Sequence, residues 1–307
     1  MEIREACCTH GFFYIVGHGV AKSLSDGVLA ESRTFFALPA DEKLEIEMER
    51  GGRAWRGFFP VGGELTLGRP DQKEGLYFGE ELSDSDPRVQ AGTPLHGPNL
   101  FPRDPATLRR AVLEYMAALT GLAHRLMEGF AESLGLAPEY FHARYTANPL
   151  VLFRIFHYPP LPAADGSNEE PLWSVGEHTD YGLLTILQQT SEGLEVKVDG
   201  VWKPAPPIPG AFVCNIGDML DRMTSGFYRS TAHRVRNLTG ASRLSFPFFF
   251  DPAFDAEVAP IDPGERSRLD VDERWDGVDV HELSGTYGEY LLRKIGRVFP
   301  GLGRDVL

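Results

Sequence analysis

The sequence is poor in cysteine: Cys7, Cys8 and Cys214 are all it has in 307 residues. An odd, sparse set with no Cys-x-x-Cys spacing excludes a disulfide framework and a cysteine zinc site, and it suits a reducing compartment. Basic runs are missing as well. Lys and Arg number 30 against 44 Asp and Glu, a formal net charge of −14. An acidic surface repels phosphate, which argues against DNA, RNA and anionic membranes as partners. No stretch reaches the ~18 apolar residues of a membrane span. The opening residues MEIREACCTHGFFYIVGHGV are charged and too short in apolar length for a signal peptide. There is no internal repeat, no low-complexity tract and no clean linker. What is left is a soluble, cytoplasmic protein with 42% hydrophobic residues, enough to bury a sizeable core. A small-molecule substrate, and a monomer or weak homo-oligomer, are the expectations.

Along the chain, GFFYIVGHGV (11–20) reads as a short buried strand, followed by a helix over about 24–37. Pro39 and Asp41 open another helix. Residues 51–70, rich in Gly and aromatics, read as a loop or hairpin over a site, and 81–103 as irregular. The Asp104-Pro105 pair predicts a helix start, with Asp104 as N-cap. Leu108, Val112, Met116, Leu119, Leu122, Leu126 and Phe130 then mark one apolar helix face, ended by Gly135. From about 150 the texture turns to short β segments: 151–158, 183–189, 194–205 with an Asp-Gly hairpin turn, 211–220, 233–238 and 243–252. A last helix is expected over 286–299. Many short strands at close spacing predict a sandwich or jelly roll. The organisation expected is one domain, 1–307. A helical N-terminal part, about 1–148, packs on a jelly-roll core, about 149–255, with a C-terminal helical tail.

His178 and Asp180 lie two apart, so on an extended chain they share a face. His233 follows 53 residues after Asp180 at the start of another β segment. Two histidines and a carboxylate form the facial set that suits iron(II) and leaves coordination positions open. Arg243 and Ser245, again two apart, offer a planar fork and a hydroxyl to a carboxylate ligand. A structural ion pair is the alternative for Arg243. In 151–158, Val151, Phe153 and Ile155 form one face and Arg154, Phe156 and Tyr158 the other. Tyr158 has a hydroxyl to offer a bound carboxylate, or is a core tyrosine; Arg154 and Phe156 are candidates to line a substrate pocket. In the 51–78 segment Arg53, Arg56 and Arg69 are candidates for an acidic substrate, Arg56 above all, and Trp55, Phe58, Phe59 and Tyr77 for an apolar one.

Together, GFFYIVGHGV, HYPP (157–160), HTDYGLLTIL (178–187), NIGDML (215–220), STAHRV (230–235), RLSFPFFF (243–250) and TYGEYL (286–291) resemble the isopenicillin N synthase-like family of iron(II)/2-oxoglutarate-dependent dioxygenases. The resemblance implies a mainly β protein with flanking helices around a double-stranded β-helix. It implies His178, Asp180 and His233 as iron ligands, and Arg243 and Ser245, assisted by Tyr158, as the site for the distal carboxylate of 2-oxoglutarate. It implies Fe(II), 2-oxoglutarate and O2 as the reaction's helpers, and hydroxylation, desaturation or cyclisation of a small molecule with release of succinate and CO2. Asn215, Gly217 and Asp218 match a segment that supports the barrel. A 2-oxoglutarate-independent oxidase, in which the same clamp holds the substrate's own carboxylate, is the alternative. Asp180 argues against a halogenase, because halide needs that coordination position. The chain departs from the family in lacking an initial Pro-Val-Ile-Asp-Leu strand, which points to a displaced start or an altered sheet edge. It also has Phe156 where plant members often carry Asn, which sets plant substrate classes aside and brings its texture closer to bacterial members.

Overall fold

Two nine-residue segments organise the molecule, because both are apolar enough to be buried on both faces. They are Leu150–Tyr158 and Arg243–Asp251, paired antiparallel with Arg243 opposite Tyr158 and Phe248 opposite Phe153. In this computed structural model residues 2–66, 68–160, 173–237, 240–261 and 285–299 are described. The helices are Glu2–Thr9 (α1), Lys22–Phe36 (α2), Ala40–Leu44 (α3), Pro87–Gln90 (α4), Leu108–Ser133 (α5), Asp218–Met223 (α6) and Tyr287–Val298 (α7). The strands are Phe12–Ile15 (β1), Gly57–Phe59 (β2), Leu65–Thr66 (β3), Arg69–Pro70 (β4), Glu74–Gly79 (β5), Leu150–Tyr158 (β6) and Val175–His178 (β7). They continue with Leu184–Gln189 (β8), Leu194–Val198 (β9), Val201–Pro204 (β10), Phe212–Ile216 (β11), His233–Val235 (β12) and Arg243–Asp251 (β13).

A seven-stranded sheet in the order β1-β11-β8-β13-β6-β5-β2 faces a four-stranded sheet in the order β10-β9-β12-β7. Side chains of both sheets line one cavity of about 610 Å³. This is the sandwich of a double-stranded β-helix, with strands alternating between cavity and outer face. On β6, Leu152, Arg154, Phe156 and Tyr158 line the cavity, while Phe153 packs its ring against Tyr115 of α5 at 5.5 Å. On β13, Arg243, Ser245, Pro247 and Phe249 line the cavity, and Leu244, Phe246, Phe248 and Phe250 are buried in the core. Pro247 cannot donate to a ladder, and the pairing of β13 with β6 lapses at 246 and 247 before resuming in the same register. The outer face of the large sheet is covered by α5, whose buried residues include Leu108, Val112, Met116, Leu119, Leu122 and Phe130.

Three local expectations are corrected. The Asp104-Pro105 pair forms a turn rather than a helix start: the Pro105 carbonyl takes the Leu108 N–H, and α5 begins only there. The strand expected over 211–220 stops at Ile216. A Cβ on Gly217 would lie 2.4 Å from the Gly182 carbonyl, so the chain turns there and continues as α6. The 11–20 strand is shorter and less buried than expected, spanning Phe12–Ile15 at the edge of the large sheet. The Asp-Gly turn between β9 and β10 is as the sequence predicts, with positive φ at Asp199 and Gly200. Thr286 caps α7 in a reciprocal capping box with Glu289. Much of the expected C-terminal tail, residues 262–284 and 300–307, lies outside the described residues.

Candidate active site

Antiparallel pairing of β12 with β7 sets His233 directly opposite His178. Their ring centroids are 4.2 Å apart. Asp180 sits two residues past His178, beyond the end of β7, and its Oδ1 lies 3.7 Å from His233 Nε2. Ligand atoms from the three residues all fall within 4.8 Å of one another, the only such cluster of three or more among the described residues. His178 Nδ1 bonds to the Gly176 carbonyl at 2.8 Å and His233 Nδ1 to the Thr231 carbonyl at 3.2 Å. A carbonyl only accepts, so each Nδ1 carries the hydrogen and each Nε2 keeps its lone pair for a metal. Burial, then the neighbouring His233, push the His178 pKa down to about 4, which keeps the imidazole neutral near pH 7.

Asp180 Oδ2 is occupied by protein donors: Thr185 Oγ1 at 2.5 Å and Asn215 Nδ2 at 2.7 Å. Oδ1 is left clear of these donors, on the side of the two histidines. Burial alone opposes ionisation of Asp180, but the two histidines and these hydrogen bonds outweigh it and hold its pKa below the ordinary value. The backbone is pinned too, since Asp218 N–H donates to the Asp180 carbonyl at 2.8 Å and Met219 N–H to that of Gly182 at 3.0 Å. Asp218 itself is held by Ser230 Oγ and Tyr290 OH. Two imidazole nitrogens and one carboxylate oxygen on one side of a point fit iron(II).

Arg243 begins β13 and is fully buried. Its Nη2 donates to Gln189 Oε1 at 2.8 Å and its Nε to the Ser191 carbonyl at 3.2 Å, whereas Nη1 has no partner among the described residues. No carboxylate of the described residues pairs with it. Ser245 Oγ donates to Tyr158 OH at 3.2 Å, and the guanidinium lies 4.8 Å from the centroid of the Tyr158 ring. A buried cation without an anion is costly, and one with a donor left over beside two hydroxyls fits an incoming carboxylate.

Arg154 and Phe156 line the cavity with Tyr158, as the strand alternation predicts. Arg56 does not line it. It is 1% exposed, its Nη2 donates to the Leu95 carbonyl at 2.7 Å, and its guanidinium fills the space beside Gly79. Arg53, Arg69, Trp55, Phe58, Phe59 and Tyr77 are also absent from the lining. The 51–78 segment does reach the cavity, through Glu64, Leu65, Thr66, Gly68 and Lys73. Lys73 pairs there with Glu64 at 2.9 Å and with Asp71. From α7, Leu291, Lys294 and Val298 contribute. Their i, i+3, i+7 spacing was the available signal, since it puts them on one helix face.

The site and fold are those of a non-haem Fe(II)/2-oxoglutarate-dependent dioxygenase. The chain belongs to the 2OG-Fe(II) oxygenase superfamily, whose family description matches residues 149–252; residues 1–104 match the N-terminal region described as that of non-haem dioxygenases in morphine synthesis. A Dictyostelium discoideum protein named as a probable iron/ascorbate oxidoreductase is 49% identical over 100% of this chain and 90% of its own. An Arabidopsis thaliana homoarginine-6-hydroxylase is 34% identical over 96% of this chain and 87% of its own. The crystal structure of a 2OG-Fe(II) oxygenase family protein from Caulobacter crescentus is 27% identical, with a TM-score of 0.77 over 96% of this chain and 93% of that one. No helix among the described residues is long and apolar enough to cross a membrane. Fe(II) is the cofactor and 2-oxoglutarate the co-substrate.

Proposed function

We propose that His178, Asp180 and His233 ligate the iron, that Arg243, Ser245 and Tyr158 hold the far carboxylate of 2-oxoglutarate, and that the enzyme hydroxylates a small molecule. Fe(II) with 2-oxoglutarate and O2 supplies the oxidising power: the co-substrate loses CO2 to become succinate, taking one oxygen atom, and the other enters a substrate C–H bond. The protein's residues position and shield. Asn215 and Thr185 fix the Asp180 carboxylate, and Arg154 and Phe156 flank the substrate space. Hydroxylation is favoured over desaturation or cyclisation by the homoarginine-6-hydroxylase relative. The observation that carries the reading is the leftover Nη1 donor of buried Arg243.

The single-domain reading is supported by the large sheet, which takes β1, β2 and β5 from the N-terminal half and the other strands from the core. A cytoplasmic, monomeric or weakly associating enzyme without nucleic-acid partners fits the composition. A bacterial affinity draws support from the Caulobacter fold match, while the amoebal and plant relatives pull the other way.

Adding Fe(II) and 2-oxoglutarate without oxygen should produce a visible charge-transfer band, and admitting oxygen should release succinate. Folded protein that gives neither would overturn the assignment. The isopenicillin N synthase-like alternative is the second reading, since the 49% identical relative is named an iron/ascorbate oxidoreductase. Full-rate product formation with no 2-oxoglutarate present and no succinate formed would establish it.

A further inference from the structure

The cavity holds a second guanidinium, at the substrate space, that has no part in holding iron or 2-oxoglutarate. Arg154 lies on the inward face of β6, and its side chain is 16% exposed. It is held between the Tyr77 ring, 4.2 Å from the guanidinium carbon, and the Phe249 ring at 5.0 Å. Such stacking fixes the plane of the group and leaves its edge, where all five N–H donors lie, for other partners. Yet Arg154 makes no hydrogen bond among the described residues; its Nε is buried and unpartnered, and its one ion pair, to Glu64 Oε1, is 3.7 Å long. Glu64 has closer neighbours than Arg154. Tyr77 OH donates to its Oε1 at 2.8 Å, and Lys73 Nζ lies 2.9 Å from its Oε2.

Glu64 is thus held more closely by Tyr77 and Lys73 than by Arg154, which is left with donors to spare. The wider lining points the same way. Lys73 is balanced by Glu64 and Asp71; outside that cluster, the iron ligands and the Arg243 clamp, the lining sets Arg154 and Arg297 against Asp251, in a chain whose net charge is −14. Burial also pushes the Asp251 pKa up to about 7, which weakens it as a counter-charge. Arg154 is not a second hand on the same ligand as Arg243. Arg243 sits opposite Tyr158, four residues along β6 from Arg154, which is about 13 Å at strand spacing. Phe156 lies between them on the same face.

We infer that the substrate carries a carboxylate, or an anion of the same planar shape, and that Arg154 is the residue that binds it. This rests on the Fe(II)/2-oxoglutarate reading, and it makes the cavity a site for two acids: the co-substrate at the Arg243 end and the substrate at the Arg154 end.

The test uses the full-length protein with Fe(II) and 2-oxoglutarate under anaerobic conditions. Octanoate and 3-phenylpropionate are titrated against octanamide and 3-phenylpropionamide, and perturbation of the charge-transfer band is followed. Each acid should act at a concentration about tenfold or more below its amide, as charged hydrogen bonds require. Arg154→Gln should abolish that gap, and Arg154→Lys should keep part of it by retaining the charge. Both variants should form the 2-oxoglutarate band at the wild-type midpoint, which also certifies their fold. Equal action of acid and amide, no perturbation by either acid, or a gap that survives Arg154→Gln overturns the inference while leaving the dioxygenase reading in place. Absence of the band itself sinks both.

Discussion

Replacing Arg243 by methionine keeps most of the side-chain stem and removes the charge and the fork. The structure sets two opposed effects on stability. The variant loses the bonds to Gln189 Oε1 and the Ser191 carbonyl, which together are worth roughly 3–6 kcal/mol if counted as hydrogen bonds to a charged group. It also removes a fully buried cation that no carboxylate of the described residues neutralises, whose burial costs several kcal/mol, on the order of the same amount. That burial already lowers the Arg243 pKa. The two nearly cancel, so the apo protein should unfold within about 4 °C of wild type. Binding has no such offset. A carboxylate deprived of its buried guanidinium loses roughly 2–5 kcal/mol, so the Kd for 2-oxoglutarate should rise about 30-fold to several thousand-fold. The assay is an anaerobic titration of the charge-transfer band, with a thermal melt of the apo protein alongside. A Kd within about threefold of wild type, together with a large fall in Tm, would show that Arg243 is a structural residue and not a ligand of the co-substrate.

Two further outcomes follow from the site. Asn215→Ala removes the 2.7 Å bond that holds Asp180 Oδ2, and iron affinity should fall about 10- to 100-fold in a metal titration; unchanged affinity would remove Asn215 from the metal's support. Asp251 is buried, accepts from Tyr287 OH, and has its pKa pushed up to about 7. Its folded pKa lies above its unfolded one, so the folded state holds the proton more tightly and stability drains away as pH rises from about 4 to about 7. Asp251→Asn should therefore gain on wild type by about 2–3 kcal/mol between pH ~5 and pH ~8, read as the difference in apo unfolding free energy; a pH-independent difference would contradict it.

What could be read from the sequence was whatever depends on strand parity. The split of 151–158 into an Arg154-Phe156-Tyr158 face and its opposite follows from a period of two, and the structure turns that face to the cavity. The 178, 180 and 233 constellation was legible because type and spacing both carry chemistry; their approach to within 4.8 Å depends on the β7–β12 pairing, which no local rule supplies. Arg56 misled because a buried arginine among aromatics looks alike whether it faces a ligand or a backbone carbonyl. Glu64 and Lys73 escaped notice for the reverse reason: each looks like a solvated charge until the 60–73 segment folds in and buries both. Asp104 satisfied a helix-capping rule that the Pro105–Leu108 turn overrode.

The alternation along β6 has one more consequence. Its inward side chains are spaced by two residues, roughly 7 Å, with Tyr158 beside Arg243 at one end and Arg154 two inward places further on. A strand of this kind is a ruler. A molecule pinned at Arg154 offers the iron only the carbon that lies a set length from its pinned end, so the choice of which bond is oxidised is written into the pitch of the backbone. Moving the arginine one notch, to position 152 or 156, would leave the chemistry alone and change its address.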